Sequence, residues 1–241
     1  MNRFVLITRH PADCGELQER LSACGIVLRP YPVLRLEDVE DDPGWTGIPK
    51  NSEAHRQNTW LVMASPRAPK RLAEQCRSRG ADWLLDLPVA VIGDGTAAAS
   101  TAAGLAPALV GPGTGIGLAE ELKRRLKEPS TLIFACGHHR RPELPETLQG
   151  AGHQVVPLVV YRMNATPPDE LPPVEPRVEA VVVTSPRSAR LYLESVGGHP
   201  LPCPHWALGP TTRDAARTMG IECLIPPEPN LESLAEELCR I

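Results

Sequence analysis

Short apolar runs alternate with amphipathic, helix-like stretches along most of the chain. The run FVLIT (residues 4–8) is followed by Pro11, a stretch that ends near Gly25, and a new apolar run, IVLRPY. Proline suits the first turn of a helix and glycine suits its C-terminus, so this pattern predicts strand, helix, strand. The runs WLVMA, VAVI and ALV continue the alternation further along. Such alternation is typical of parallel α/β sheets.

The same strand–turn–helix unit occurs twice. WLVMASPRAPKRLAE (60–74) matches AVVVTSPRSARLYLE (180–194), and VAVIGDGTAAASTAAGL matches HWALGPTTRDAARTMGI. LAEEL recurs after each of these, and ITRHPADCGELQERLSACGIVLRPY resembles FACGHHRRPELPETLQGAGHQVVPL. Because matched blocks recur in the same order, the sequence predicts two similar α/β domains. Each would have about five strands, the size of a flavodoxin-like parallel sheet.

The joints between the blocks indicate which pieces share a domain. The joint at residues 127–130 is short, whereas the segments 37–59 and 164–178 are long, polar and rich in proline or charge. Long polar joints are typical of crossings between domains, and two crossings would leave a cleft. We therefore predict a discontinuous first domain (1–36 plus 176–241), a continuous second domain (55–163) and two linkers (37–54 and 164–175).

Composition excludes several classes of function. The 241-residue chain has a net charge of −4 and only 4% aromatic residues, which argues against nucleic-acid binding. No apolar run approaches the ~20 residues of a membrane span, and the first run is too short for the core of a signal peptide. Seven cysteines, an odd number with no C-x-x-C pair, indicate reduced thiols in a cytoplasmic protein.

Two segments that suggest a cofactor lack the required spacing. GPGTGIG (111–117) does not have the G-x-G-x-x-G spacing of a dinucleotide loop. His138 and His139 have no third ligand at metal-like spacing, and the cations Arg140 and Arg141 follow them. The sequence therefore predicts neither a dinucleotide site nor a metal site.

Hydroxyl side chains follow four of the predicted strands, at Ser65, Thr96, Ser185 and Thr212. Ligands of parallel α/β sheets bind beyond the carboxyl ends of the strands, where helices begin. Helix N-termini offer free N–H groups and partial positive charge, which suit a carboxylate or a phosphate. The alternative is that these hydroxyls only cap their helices. Four paired openings favour a binding cleft for an anionic ligand.

Six motifs stand in one order over nearly the whole chain: LITRHP, ASPRA, VIGDGTAAA, LVVYR, VTSPRSA and ALGPTTRDAA. This ordered set resembles the motifs of the uroporphyrinogen-III synthase family. The resemblance implies two flavodoxin-like domains, the first built from both chain ends. It also implies a hydro-lyase that cyclises hydroxymethylbilane to uroporphyrinogen III, with loss of water and inversion of the last pyrrole ring. Family members need no metal and no organic cofactor.

The resemblance also assigns roles to individual residues. Tyr161 is the candidate general acid or hydrogen-bond donor; its partner in the repeat, Leu34, cannot donate. Alternatively, Tyr161 is an aromatic residue at a strand end whose hydroxyl lies in water. Thr211 and Thr212 match the family's Thr-Thr pair, and Thr96 is their counterpart in the other domain.

The remaining candidates come from the strand ends. Arg9 could meet a substrate carboxylate or pair with a surface acid, and Ser65 and Ser185 are expected to bind substrate at their helix starts. The turn from Cys136 to His139 aligns with Thr8 and Arg9 but lacks the arginine that is common in the family. A ligand role for that turn therefore stays open.

The implied partner is a small molecule, a linear tetrapyrrole polycarboxylate, with no nucleic acid and no membrane. We expect a cytoplasmic monomer that has transient contact with the enzyme that forms the bilane. The alternative from another class is a non-enzymatic, two-lobed small-molecule sensor, which would close on its ligand without converting it.

Overall fold

The computed structural model describes residues 3–174 and 177–241. Residues 1–2 and 175–176, which fall at the ends of predicted domain and linker ranges, lie outside the described residues. The strands are β1 (Arg3–Ile7), β2 (Ile26–Pro30), β3 (Leu34–Asp38), β4 (Thr59–Met63), β5 (Val89–Val91), β6 (Pro107–Val110), β7 (Thr131–Gly137), β8 (Gln154–Ala165), β9 (Val178–Val183), β10 (His205–Ala207) and β11 (Cys223–Leu224). The α-helices are α1 (Gly15–Ala23), α2 (Glu53–Gln57), α3 (Ala68–Ser78), α4 (Asp94–Ala102), α5 (Gly115–Arg125), α6 (Glu143–Gly150), α7 (Pro186–Ser195), α8 (Pro210–Thr218) and α9 (Leu231–Arg240).

Contacts between Cα atoms divide the chain into two compact units. Unit 1 comprises residues 1–35 and 164–241, and unit 2 comprises residues 36–163. Independent folding of the predicted domains stays a prediction. Residues 37–54, which the sequence predicts to be a linker, lie within unit 2. Trp45 and Ile48 pack against the core of that unit, so the segment covers apolar surface there.

Unit 1 is built on a five-stranded sheet in the order β2-β1-β9-β10-β11. All four of its strand pairings are parallel. Leu17 and Leu21 of α1 and Leu234 and Leu238 of α9 are fully buried in the core on one face. A second core, around the buried ring of Tyr192 on α7, covers the other face. The doubly wound α/β architecture predicted from the alternating pattern is confirmed in this unit.

Unit 2 contains a six-stranded sheet in the order β3-β8-β7-β4-β5-β6. Apart from β3, its spatial order is that of unit 1, because β7 and β8 take the places of β1 and β2. The prediction of about five strands missed β3, which joins the sheet beside β8. In each unit the chain adds strands on one side of a central strand and then on its other side, so the strand order reverses once. That reversal lies between β1 and β9 in unit 1 and between β7 and β4 in unit 2.

A disulfide joins Cys24, just after α1, to Cys239 in α9. The expectation that the cysteines are all reduced thiols is therefore wrong for this pair. Composition could not reveal it, because the two cysteines are 215 positions apart and meet only where α1 packs on α9. The other five cysteines are free, and four of them are buried. Within residues 3–174 and 177–241, no helix is long and apolar enough to cross a membrane.

Candidate active site

Unit 2 contains a cavity of about 700 Å³ at the carboxyl ends of its central strands. Ser65 follows β4, Ile92 follows β5, Gly137 ends β7, and Tyr161 lies on β8; all four line the cavity. The strands β7 and β4 are the neighbours at which the strand order reverses. Ligands of doubly wound α/β sheets bind at such a switch point, where the flanking loops diverge. The position of the cavity therefore makes it the candidate active site of this unit.

The corresponding switch point of unit 1 is filled by hydroxyl groups. The Thr8 hydroxyl lies 3.2 Å from the Val182 carbonyl oxygen and 3.1 Å from the Ser188 hydroxyl. The backbone N–H of Thr184 faces both hydroxyls, each at 3.2 Å. Ser188 and Ser185 cap α7 reciprocally, each donating its N–H to the other's side chain. The polar groups of this turn are thus satisfied within the protein.

Unit 2 lacks the hydroxyls that close this network. By the repeat, Ala64 stands where unit 1 has Thr184, and Ala68 stands where it has Ser188. An alanine methyl cannot bridge two turns by hydrogen bonds. The turn after β4 consequently leaves open space, and Ala64 lines the cavity. The two copies of the repeat have diverged at the switch point, one closed by side chains and one open.

Of the side chains with a hydroxyl group in the wall of this cavity, that of Tyr161 is the most buried. It is 9% exposed, and no described residue forms a hydrogen bond with its hydroxyl. The ring packs against Gly137, its neighbour in the β7–β8 register. A Cβ at position 137 would lie 2.7 Å from two ring carbons of Tyr161, so only glycine leaves room for the ring as it stands. The result is a phenol O–H that is positioned but unpartnered.

Cys136 contributes no charge to the cavity that it lines. Its thiol lies 3.7 Å from the carbonyl oxygen of Leu158. Burial raises the pKa of the Cys136 thiol to about 11, although nearby Arg140 acts in the opposite direction. The thiol is therefore neutral near pH 7. The resembled family commonly has an arginine at this turn. In this chain, position 136 carries no charge in its place.

The structure brings two of the predicted site residues together. Ser65 and Tyr161 line the same cavity. The Ser65 hydroxyl accepts only a long hydrogen bond of 3.3 Å from the N–H of Arg67, because α3 begins at Ala68, two residues later than predicted. Thr96 lies in the first turn of α4 and is 3% exposed, but it does not line this cavity. No hydrogen bond to its hydroxyl is formed by the described residues.

The other candidates lie in unit 1. Arg9 donates a weak hydrogen bond of 3.4 Å to the carbonyl oxygen of Asp13, and Ser185 is occupied as a helix cap. Thr211 is exposed, whereas Thr212 is 7% exposed. As with Thr96, the described part of the chain offers no hydrogen-bond partner to the Thr212 hydroxyl. The hydroxyls of Tyr161, Thr96 and Thr212 are thus available to a ligand, and that of Ser185 is not.

Sequence reasoning missed two groups of lining residues. Thr114 caps α5 by accepting from the N–H of Gly117 at 3.1 Å, and Gly115 and Ile116 at this helix start line the cavity. Arg140 and Arg141 line it as well. The signal for both groups was available, because each follows a predicted strand. The segment 111–117 lacks the spacing of a dinucleotide loop and the two arginines disfavour a metal, but neither observation points to a role in this cavity.

The described residues offer no clear metal site. Nowhere in residues 3–174 and 177–241 do three or more His, Cys, Asp or Glu side chains cluster as they would around a metal ion. The rings of His138 and His139 meet edge to face, with 5.0 Å between their centroids. The prediction that no metal is needed stays a prediction.

Comparison with known proteins agrees with this architecture. A family model described as "Uroporphyrinogen-III synthase HemD" matches residues 15–236. Among solved structures, uroporphyrinogen-III synthetase from Helicobacter pylori is similar with a TM-score of 0.66 at 14% identity, covering 100% of this chain and 99% of that one. A mutant uroporphyrinogen III synthase from the extremely thermophilic bacterium Thermus thermophilus is similar with a TM-score of 0.57 at 20% identity, covering 99% and 98%.

Among curated proteins, none matches this sequence. The structural similarities, at such low identity, establish the two-domain α/β fold. The family model establishes more, because it matches most of the chain. The chain therefore belongs to the uroporphyrinogen-III synthase family.

Proposed function

We propose that this protein closes hydroxymethylbilane to uroporphyrinogen III, releasing water and inverting the last pyrrole ring. Membership of the family makes it a lyase of tetrapyrrole biosynthesis. One observation carries the chemical part of the proposal. The Tyr161 phenol is about nine-tenths buried, lines an open cavity at the switch point and has no hydrogen-bond partner among the described residues. Among the described residues, the fully buried polar atoms without a partner do not include this hydroxyl, so it reaches the open space of the cavity, where it can donate to a ligand.

The reaction needs a proton donor for the departing hydroxyl. In our proposal, the Tyr161 O–H donates its proton to the hydroxymethyl oxygen, so that the C–O bond breaks and water leaves. The resulting azafulvenium cation is attacked by the far pyrrole ring to give a spiro intermediate, which fragments and recloses with that ring inverted. The reclosed pyrrole finally loses a ring proton, and this proton restores the phenol. Protons therefore balance without a cofactor.

The rest of the task is to hold a flexible polycarboxylate in a folded conformation. Each pyrrole ring carries an acetate and a propionate, and helix starts offer N–H donors and partial positive charge to such groups. We propose that Ser65, Thr96 and Thr212 bind these carboxylates with their hydroxyls, and that Arg9 and Thr211 add contacts from their exposed positions. Ser185 would contribute the start of α7 rather than its own hydroxyl. Positioning of this kind is itself catalytic.

The test is turnover of freshly generated hydroxymethylbilane, followed by oxidation and separation of the uroporphyrin isomers. Tyr161→Phe should lower the rate of isomer III formation by roughly one to three orders of magnitude, since it removes the proton donor. Its melting temperature should stay close to that of the wild type. Thr212→Val should instead weaken substrate binding by about 1–3 kcal/mol, through loss of one carboxylate contact.

Full turnover by Tyr161→Phe would make this residue a packing residue and leave positioning alone to explain catalysis. The same assay separates the proposal from its alternative, a two-lobed small-molecule sensor. A sensor would bind a tetrapyrrole or another small molecule but leave the fraction of isomer III at the level of the buffer control.

The setting of the reaction is part of the proposal. We propose that the protein works in the cytoplasm as a monomer; its five free cysteines fit a reducing compartment, whereas the Cys24–Cys239 disulfide is of a kind that is rare there. Transient contact with the enzyme that forms the bilane would pass on this unstable substrate. Sedimentation of the purified protein, alone and with that enzyme, tests both points.

A further inference from the structure

The turn between β7 and α6 places two arginines at the mouth of the cavity. Arg140 and Arg141 are exposed, and both line the cavity that holds Tyr161. Among the described residues, neither guanidinium forms a hydrogen bond or an ion pair. Many other arginines of this chain do have a carboxylate partner, such as Arg71 with Asp38 and Arg124 with Glu121. A guanidinium pair left without partners at a cavity is a ready site for an anion.

The other walls also favour negative charge. The N-terminus of α5, an 11-residue helix, opens onto the cavity at Gly115 and Ile116. One carboxylate, Glu143, lines the cavity against the two arginines, so positive charge is in excess even though the whole chain carries −4. The Tyr161 hydroxyl is a further donor without a described partner. Three independent sources of positive charge or donated hydrogen thus converge on one space.

We propose that Arg140 and Arg141 bind one acetate or propionate carboxylate of the substrate and thereby hold the substrate in the cavity that Tyr161 lines. This inference rests on the proposed function and extends it to two specificity-determining residues. The Cys136 thiol of the same turn carries no charge, so the positive charge of this turn at the cavity comes from the two arginines. Guanidinium groups suit this task because they hold a carboxylate with paired hydrogen bonds.

The inference predicts a particular kinetic signature. A charge-assisted carboxylate contact formed in both the ground state and the transition state lowers KM without raising kcat. Its loss should therefore raise KM, by about tenfold to a hundredfold for Arg140→Gln/Arg141→Gln, while kcat stays within about threefold. A merely structural role for this exposed turn would change the melting temperature or kcat instead.

The experiment compares three double variants with the wild type. Arg140→Gln/Arg141→Gln removes the pair, and Arg140→Lys/Arg141→Lys keeps the charge without the planar fork. Arg77→Gln/Arg190→Gln removes the same charge from two exposed helix positions that do not line the cavity. Each is assayed for kcat and KM with hydroxymethylbilane. Each is also titrated with uroporphyrin, a polycarboxylate probe whose binding needs no turnover.

A rise in KM and weaker uroporphyrin binding in the Gln variant, with only partial recovery in the Lys variant and no change in the control, would support the proposal, because lysine keeps the charge but not the paired hydrogen bonds. A KM within threefold of the wild type, or an equal rise in the control, would overturn it. If the wild type turned over no bilane, the proposed function would fail. The titration would still decide on the arginines: equal affinity of the wild type and the Gln variant for the porphyrin, or no binding by either, would refute their role.

Discussion

Gly137→Ala should impair catalysis by moving Tyr161. A Cβ at this position would lie 2.7 Å from Cε2 and Cζ of the Tyr161 ring and 2.9 Å from its hydroxyl oxygen. Carbon atoms pack best at about 3.5–4.0 Å, so the ring has to retreat by about 1 Å. The ring lines a cavity, which gives it somewhere to go.

The size of this displacement sets the expected losses of catalytic rate and of stability. A misplacement of about 1 Å at a reacting group costs on the order of a hundredfold in rate. Overpacking at a site that can relax costs about 1–3 kcal/mol of the free energy of unfolding. We therefore expect kcat for isomer III formation to fall by about a hundredfold, while the variant stays folded at assay temperature. Stopped assays with isomer separation measure kcat, and urea denaturation measures the free energy of unfolding.

Gly150→Ala is the matched control. Gly150 ends α6 in the same unit, and a Cβ there would meet nothing within 4 Å. This variant should keep full turnover and gain about 0.5–1 kcal/mol, as expected for glycine to alanine in a helix. In a Tyr161→Phe background, Gly137→Ala should cost little further rate, because no hydroxyl remains to be displaced. Wild-type kcat in Gly137→Ala, or full additivity in the double variant, would refute the argument.

Three further outcomes follow from other parts of the molecule. Reduction of Cys24–Cys239, or Cys24→Ser, should lower the unfolding free energy by about 2–4 kcal/mol, because the bond closes a loop of 215 residues; equal melting curves with and without reductant would contradict this. Burial lowers the pKa of His153 and of His205. Stability should therefore be constant above the unfolded-state pKa of about 6.5 and fall as the pH drops below it, since the unfolded chain then takes up protons that the folded chain does not; urea midpoints at pH 7.5 and 5.5 test this. The fragment 55–163 should unfold cooperatively on its own; an unfolded 55–163 fragment beside a folded 1–127 fragment would show that sequential pieces form the domains.

The periodic pattern and the repeat predicted the architecture because both can be read from short stretches of sequence. Strands such as WLVMA are apolar throughout, as strands buried on both faces must be, and the repeated Ser-Pro-Arg turns marked where the helices begin. The edge strand β3 was missed because LRLED is half polar and runs into an acidic segment. An edge strand with charged positions resembles a linker in sequence, although it pairs with β8 in the sheet.

The site could be predicted only in part for a different reason. Ser65 and Tyr161 could be predicted from their motifs, although the expected strand end at Tyr161 is wrong: β8 continues to Ala165, and Tyr161 reaches the cavity because it pairs with Gly137 at the end of β7. Whether a hydroxyl is free depends on its neighbours in space: Ser185 is occupied by Ser188, whereas Thr212 has no described partner. The open cavity depends on Ala64 and Ala68, which stand in unit 2 where unit 1 has hydroxyls. The aligned repeat shows these replacements, but only the structure shows that the hydroxyls of unit 1 close the corresponding turn.

Unit 1 is formed by two segments that are far apart in the chain, so the ribosome makes the strands of its sheet at different times. The central strand β1 pairs with β2 and with β9, and the partner of Val5 in β9 is Ala180. While the ribosome makes the roughly 175 residues between them, at about 5–20 residues per second, β1 lacks its second neighbour for on the order of 10–35 s. All strands from β4 to β8 are finished before β9 begins. The nascent chain therefore carries an apolar, half-paired sheet edge at its N-terminus through most of translation, a template for aggregation that holding chaperones would need to cover.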